Sequence, residues 1–147
     1  MAADTATIHA SAVLIGPKAA LIRGPAGSGK SQLVWDLLQS TLPFARLVAD
    51  DRVHVEAFAG QLLVRPAPAL AGLIEIHGLG IRRLAFEPVA AVALVVDLAA
   101  ADAARLPGPA AGKATIAGVT LPRLAVAAGM AALPQLLASL RTVPAGD

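Results

Sequence analysis

Apolar and polar positions along the chain change period several times, and each change marks an element. TIHASAVLIG (7–16) and AALIRG (19–24) read as two short strands joined through the turn-like Pro17-Lys18 into a hairpin. From Ser31 onward, Leu33, Val34, Leu37 and Leu38 recur at helical spacing with Gln32, Asp36 and Gln39 on the other side, which predicts a helix ending before Pro43. RLVADD (46–51) is a compact apolar strand that ends in two carboxylates. RVHVEAF (52–58), Ala59-Gly60 and QLLVR (61–65) then read as strand, turn, strand. PAPAL (66–70) breaks the pattern, and LIEIHGLGIRRL (73–84) alternates as a strand with a glycine-rich bend at Gly78 and Gly80. AAVALVVD (90–97) is a continuous apolar run of the kind that forms a strand buried on both faces. LPGPAAGK (106–113) is the most loop-like segment and is expected to divide the sheet from a C-terminal helical part at about 123–141.

These elements predict a single α/β domain over residues 1–147, with a mixed β-sheet flanked by helices. Composition agrees: apolar residues make up 56% of the chain but aromatics only 3%, so the core must be built from Ala, Leu, Val and Ile. A chain of 147 residues is long enough to bury roughly two-thirds of its unfolded surface in one core. The mean hydropathy of +0.70 raises the question of a membrane span. The best candidate, Leu124–Leu140, is uncharged, but it is only 17 residues long and carries Gly129, Pro134 and Gln135. A span needs about 20 apolar residues, so this stretch is expected to be a core-packed helix. Asp4 and the lack of a cationic start argue against a secretory leader, which gives a cytoplasmic expectation. The chain has no cysteine, which removes disulfides, thiolate nucleophiles and thiolate metal sites together. Its three histidines, His9, His54 and His77, have no regular spacing that would suggest zinc. Net charge is +2 and the arginines are scattered, so neither a basic stripe nor stacking aromatics point to nucleic acid.

The candidate chemistry lies between the second strand and the first helix. Gly24-Pro25-Ala26-Gly27-Ser28-Gly29-Lys30-Ser31 satisfies G-x-x-x-x-G-K-[ST] in a strand, loop, helix context. Such a loop turns its backbone N–H groups inward around phosphate oxygens, and the following helix offers its positive N-terminus. Lys30 would reach the β- and γ-phosphates of a bound nucleotide, and Ser31 would hold Mg²⁺. Two apolar runs end in acid, one at Asp50-Asp51 and one at Asp97. A generic phosphate-loop ATPase carries its metal-associated Asp at such a strand end, and by shape Asp97 fits that role. The adjacent pair Asp50 and Asp51 fits another, in which one carboxylate positions a group or assists the metal while the other accepts a proton from an attacking hydroxyl. General-base help of that kind contributes on the order of 10²–10⁴-fold.

HASAVLIG, GPAGSGKS, LVADDRV and GLIEIHGLGI, in this order, resemble the catalytic domain of the HPr kinase/phosphorylase family over roughly residues 8–82. ARLP around Arg105 is the best of the weaker later matches, so the motif-bearing part runs to about residue 106. The resemblance implies a phosphate-loop kinase that uses ATP and Mg²⁺ to phosphorylate a serine of the phosphocarrier protein HPr, and a homo-oligomer, hexameric in the family. It also implies roles. Asp51 would be the proton acceptor, and the donor in a reverse, phosphate-driven reaction. His9 would be the active-site histidine, Lys30 the loop lysine, Ser31 and Glu75 the metal-holding pair, and Arg105 a loop arginine that stabilises the transferring group. The chain departs from the family pattern at Pro25 and Ala26, which stand where the family has Asp-Ser, and Ser28 is a candidate for the missing hydroxyl. His77 stands where the family has arginine. TLPRLAVAAG (120–129) lacks the proline-, arginine- and asparagine-rich stretch linked to the reverse reaction, and the resemblance is to the short form without an N-terminal regulatory domain. These departures bear on phosphorylase activity more than on ATP binding. Two alternatives stand beside this reading: a small-molecule kinase or ATPase that uses Asp97, and a non-enzymatic ATP-binding regulatory module.

Overall fold

The computed structural model describes residues 6–145, so Asp4 lies outside the described residues. Strands β1 (Ala6–Ile15) and β2 (Lys18–Arg23) form the expected antiparallel hairpin. The turn falls one residue earlier than Pro17-Lys18, because Gly16 takes the left-handed φ of 62° and Lys18 already pairs with Ile15. Helix α1 (Lys30–Leu38) follows the glycine-rich loop and buries Leu33, Val34 and Leu37, the face that the spacing predicted. Strands β3 (Ala45–Ala49), β4 (Arg52–Phe58) and β5 (Gln61–Pro66) come next, then β6 (Leu73–Ile76), β7 (Gly80–Arg83) and β8 (Ala90–Asp97).

β1 and β8 are long enough to serve two neighbours each. The first half of β1 pairs with β4 and its second half with β2 and β3, while the start of β8 pairs with β5 and its remainder with β2. The strands therefore wrap around one apolar interior. Because successive side chains point to opposite faces, β1 sends Ala12 and Leu14 into that interior and Val13 to the outer face. β2 likewise divides Ala19 and Leu21 from Ala20 and Ile22. On the outer face α1 and the C-terminal helix α2 (Ala132–Arg141) pack over Val13, Ile22 and Val96, with Ile74 of β6 joining them. Uninterrupted apolar runs are what strands covered on both sides require.

Three segments differ from the sequence expectation. LIEIHGLGIRRL is two strands, because the chain reverses at His77-Gly78-Leu79 and β6 and β7 form a separate antiparallel hairpin. LPGPAAGK does not end the sheet. It leads into β9 (Lys113–Ile116) and β10 (Val119–Ala125), and β10 then runs parallel to β8. The helix expected over 124–140 accordingly starts only at Ala132. Leu124 and Ala125 are taken by β8 as strand partners, Gly129 breaks the backbone at φ 81°, and Pro134 fits the first helical turn, where its missing N–H costs no bond. Among the described residues no helix is long and apolar enough to cross a membrane.

β3, β2, β8 and β10 all run in one direction, with β1 reversed between β3 and β2. Their C-terminal ends, at Ala49, Arg23, Asp97 and Ala125, reach the same edge of the sheet. Open α/β sheets bind ligands beyond such an edge. Leu37, fully buried on the inner face of α1, is a direct test of the outer core. Leu37→Ala should lower the unfolding free energy by about 2–5 kcal/mol in urea titrations, whereas Leu140→Ala, on a side chain left 41% exposed, should cost much less.

Candidate active site

The glycine-rich loop leaves β2 at Gly24, where the backbone passes so close to its neighbours that a Cβ would lie 2.5 Å from Ser28 Oγ and 3.1 Å from Leu98 Cβ. A tight turn follows, closed by the Ser28 N–H donating to the Pro25 carbonyl at 3.0 Å. Gly29 caps α1 at φ 100°, a conformation that a side chain would strain. The Ser28 hydroxyl is tucked against Gly24, buried and without a hydrogen-bond partner among the described residues. Lys30 Nζ bends back over the loop and donates to the carbonyls of Gly24 at 2.8 Å and Pro25 at 3.2 Å.

The adjacent carboxylates at the end of β3 face opposite ways. Asp50 is buried and accepts hydrogen bonds from three elements. Ser11 Oγ of β1 lies 2.7 Å from Oδ1, Ser31 Oγ of α1 lies 2.8 Å from both oxygens, and the Glu75 N–H of β6 lies 3.2 Å from Oδ2. Asp51 is held at φ 72°, in the left-handed region, and its N–H donates to Ser11 Oγ at 3.3 Å. Backbone strain of this kind persists only where surrounding contacts enforce it. Its carboxylate projects outward, 69% exposed, with Oδ1 3.9 Å from His9 Nδ1. Ser11 thus aims both acids, and sequence reasoning missed it. The available signal was a lone hydroxyl inside HASAVLI, a run otherwise small and apolar.

A cavity of about 430 Å³ brings Ala26, Gly27, Lys30 and Ser31 together with Asp51, Glu75 and His77. A smaller one of about 230 Å³ continues past Asp50 and Glu75 to Leu70 and to Leu73 and Ile81 of the hairpin. His9, Lys30, Ser31, Asp50, Asp51 and Glu75 are therefore neighbours, although they come from four separate parts of the sequence. Arg105 is not among them. It is exposed and lines a different cavity with Arg123 and Gln135.

Asp97, the other acid at a strand end, is already partnered. Arg23 donates from Nε at 2.7 Å and from Nη2 at 2.8 Å, and Arg123 Nε lies 2.6 Å away. Arg123 also grips Asp102 at 2.8 and 2.9 Å. Burial alone would raise the Asp97 carboxyl, but the hydrogen bonds from Arg23 and Arg123 and their positive charges hold it below its ordinary value. The hydrogen bonds that Arg123 donates to Asp102 and Asp97 raise its own pKa in turn. An acid with both oxygens engaged and its charge countered by two guanidinium groups is a poor metal ligand, so the geometry disfavours Asp97 as the metal-associated residue.

Comparison with known proteins follows the same lines. A family model described as HPr Serine kinase C-terminal domain matches residues 1–127. The HPr kinase/phosphorylase of Mycoplasma mycoides subsp. mycoides SC is 38% identical over 77 residues, which cover 52% of this chain and 24% of that protein. The HPr kinase/phosphorylase of Streptococcus thermophilus is 41% identical over 80 residues, covering 54% and 25%. The chain thus matches about a quarter of the length of these curated relatives. The solved structure of the Hpr(Ser) kinase/phosphatase from Coxiella burnetii superposes with a TM-score of 0.72 at 26% identity, covering 92% of this chain and 93% of that one.

The Asp97 cluster makes a signed prediction about acid stability. A carboxyl depressed on folding contributes stability that is complete above its ordinary value of 3.8 and is lost as pH falls through the lower folded value. Asp97→Asn should therefore lower the unfolding free energy at pH 7 by about 2 kcal/mol, less than for a fully buried pair because Arg23 is partly solvated. The variant's stability should also fall less steeply than that of wild type below about pH 4 when both are followed by thermal unfolding.

Proposed function

The chain belongs to the family of HPr serine kinase C-terminal domains, and from that premise we propose that it transfers the γ-phosphoryl group of ATP to a serine of an HPr-like phosphocarrier protein. The observation that carries the reading is the outward carboxylate of Asp51. It shares one cavity with Lys30 and Ser31 of the glycine-rich loop, while its neighbour Asp50 is turned inward. A phosphate-binding loop facing an available general base is what in-line transfer to a hydroxyl requires.

The oxygen donors fit Mg²⁺ of the kind that reaches a site with its nucleotide. Ser31 offers a hydroxyl and Glu75 an exposed carboxylate on the same cavity. Among the described residues no three acidic, histidine or cysteine groups cluster as a self-sufficient metal cage. Mg²⁺ commonly binds through one or two protein oxygens and completes its shell with substrate phosphates and water. It supplies charge neutralisation of the phosphates.

In this mechanism the loop amides and the N-terminus of α1 seat the phosphates, and Lys30 exchanges the carbonyls of Gly24 and Pro25 for phosphate oxygens. Asp51 accepts the proton of the acceptor serine as its Oγ forms a bond to the γ-phosphorus. The bond from that phosphorus to the bridging oxygen breaks, and ADP leaves. His9 Nδ1 stands 3.9 Å from Asp51 Oδ1, beyond hydrogen-bond length, and would orient the carboxylate once the two exposed side chains close on each other. Asp50, fully engaged by donors, is a positioning residue for Ser31 and Glu75. Arg105 has no step here, and in the reverse reaction Asp51 returns the proton.

Incubation with γ-labelled ATP and purified HPr tests this directly. Label should appear on wild-type HPr with Mg²⁺, and not on HPr lacking the acceptor serine or after chelation. Asp51→Asn should reduce transfer by at least 10²-fold while the nucleotide still binds. Near-wild-type transfer by Asp51→Asn would overturn the role of Asp51. Nucleotide binding without label on HPr would favour the regulatory module instead.

A further inference from the structure

Among the described residues, Ser11 and Asp50 are the only buried side chains that are polar or charged. Ser11 stands in β1 between Ala10 and Ala12, which belong to the apolar interior, and strand alternation turns it to the outer side with Val13. An alanine would fill nearly the same space, so packing does not require the hydroxyl. Burying one is unfavourable unless it is hydrogen-bonded. This one is bonded twice, donating to Asp50 Oδ1 at 2.7 Å and accepting the Asp51 N–H at 3.3 Å.

The backbone that Ser11 holds is not the one its neighbours would dictate. β1 pairs with β3 at Ala12 and Ala49 and with β4 at His9 and Arg52, so two residues separate the pairs on each strand. The spacing would let β3 run straight into β4 with Asp51 extended. Instead the Arg52 N–H donates to the Asp50 carbonyl at 2.8 Å, around an Asp51 φ of 72°. A bond between residues two apart about such a φ has the span of the strained, uncommon form of γ-turn. Strain of this kind persists only where contacts enforce it, and the contact on the Asp51 amide is Ser11 Oγ.

We propose that Ser11 is a positioning residue for phosphoryl transfer, its hydroxyl holding the turn that aims the Asp51 carboxylate at the cavity. The inference rests on the kinase reading above and adds a residue to it. Without the hydroxyl, Asp51 is free to return to extended backbone, which changes the direction of its carboxylate. Asp50 would still receive Ser31 Oγ and the Glu75 N–H, so the glycine-rich loop stays seated. The loss therefore falls on kcat and spares nucleotide binding, which separates Ser11 from Asp50.

A double-mutant cycle on HPr phosphorylation tests this. Ser11→Ala should lower kcat by tenfold or more and leave both the KM for Mg·ATP and its affinity by calorimetry within about twofold. In an Asp51→Asn background the same change should cost less than twofold, since a base that is absent cannot be misaimed. Ser11→Thr keeps a hydroxyl and should retain transfer within about threefold, and amide exchange at Asp51 should quicken in Ser11→Ala but not in Ser11→Thr. An unchanged kcat in Ser11→Ala would overturn the inference. So would a loss of equal size in both backgrounds, a matching loss of Mg·ATP affinity, or a Ser11→Thr variant no better than Ser11→Ala. Wild-type protein that leaves no label on HPr would overturn the kinase reading and this inference with it, whereas an active wild type beside an equally active Ser11→Ala overturns this inference alone.

Discussion

One buried carboxylate ties together three parts of this molecule that otherwise meet only through apolar packing. Asp50 is reached by a hydroxyl from β1, a hydroxyl from the first turn of α1 and a backbone amide from the β6–β7 hairpin. Burying an ionised acid is unfavourable unless its lone pairs are satisfied, and here three donors meet it. The geometry works in both directions: Asp50 needs those donors, and each element is held in register by supplying one. Besides this bond the hairpin is held by Ile74 in the outer core and not by strand pairing, because it forms a separate two-stranded sheet.

The same constraint divides labour between neighbouring acids. Asp50 is drawn inward, and at Asp51 the chain takes φ 72°, with its amide on Ser11, and presents the second carboxylate outward. At the next strand end Asp97 is committed to Arg23 and Arg123. That clamp ties the start of the glycine-rich loop to β8 and β10, and through Asp102 it extends to the segment preceding β9. One acid is thus clamped by guanidinium groups, one is hydrogen-bonded to the loop serine, and one stands exposed on the cavity.

Much of this was legible in the sequence because it depends on local pattern. The glycine-rich loop, the helix after it, the β1–β2 hairpin and the doubly buried β8 follow from turn chemistry and hydrophobic period, which the structure satisfies within a residue or so. The course of 124–131 was not legible. A run of Leu, Ala and Val suits a helix or a buried strand equally, and only pairing with β8, distant in sequence, decides for strand at Leu124 and Ala125. Nor is the hairpin at 73–83 legible, because Gly78 and Gly80 permit a bend or a full reversal, and reversal is selected when Ile74 packs on the outer core. At the site, His9, Lys30, Ser31, Asp51 and Glu75 could be nominated from sequence. That Asp97 is engaged, Arg105 is remote and Ser11 aims both acids depends on contacts between residues as much as 74 positions apart.

The most direct test of the account is a paired measurement on Asp50→Asn, following unfolding free energy in urea and Mg·ATP affinity by calorimetry. An amide at this position loses the charge and turns a donor toward donors. Stability should fall by about 2–3 kcal/mol, and nucleotide affinity at a temperature where the variant is folded should fall with it by tenfold or more. A variant as stable as wild type, or one that is destabilised yet binds Mg·ATP normally, would contradict the claim that this single carboxylate holds the loop, the strand and the hairpin in their working arrangement.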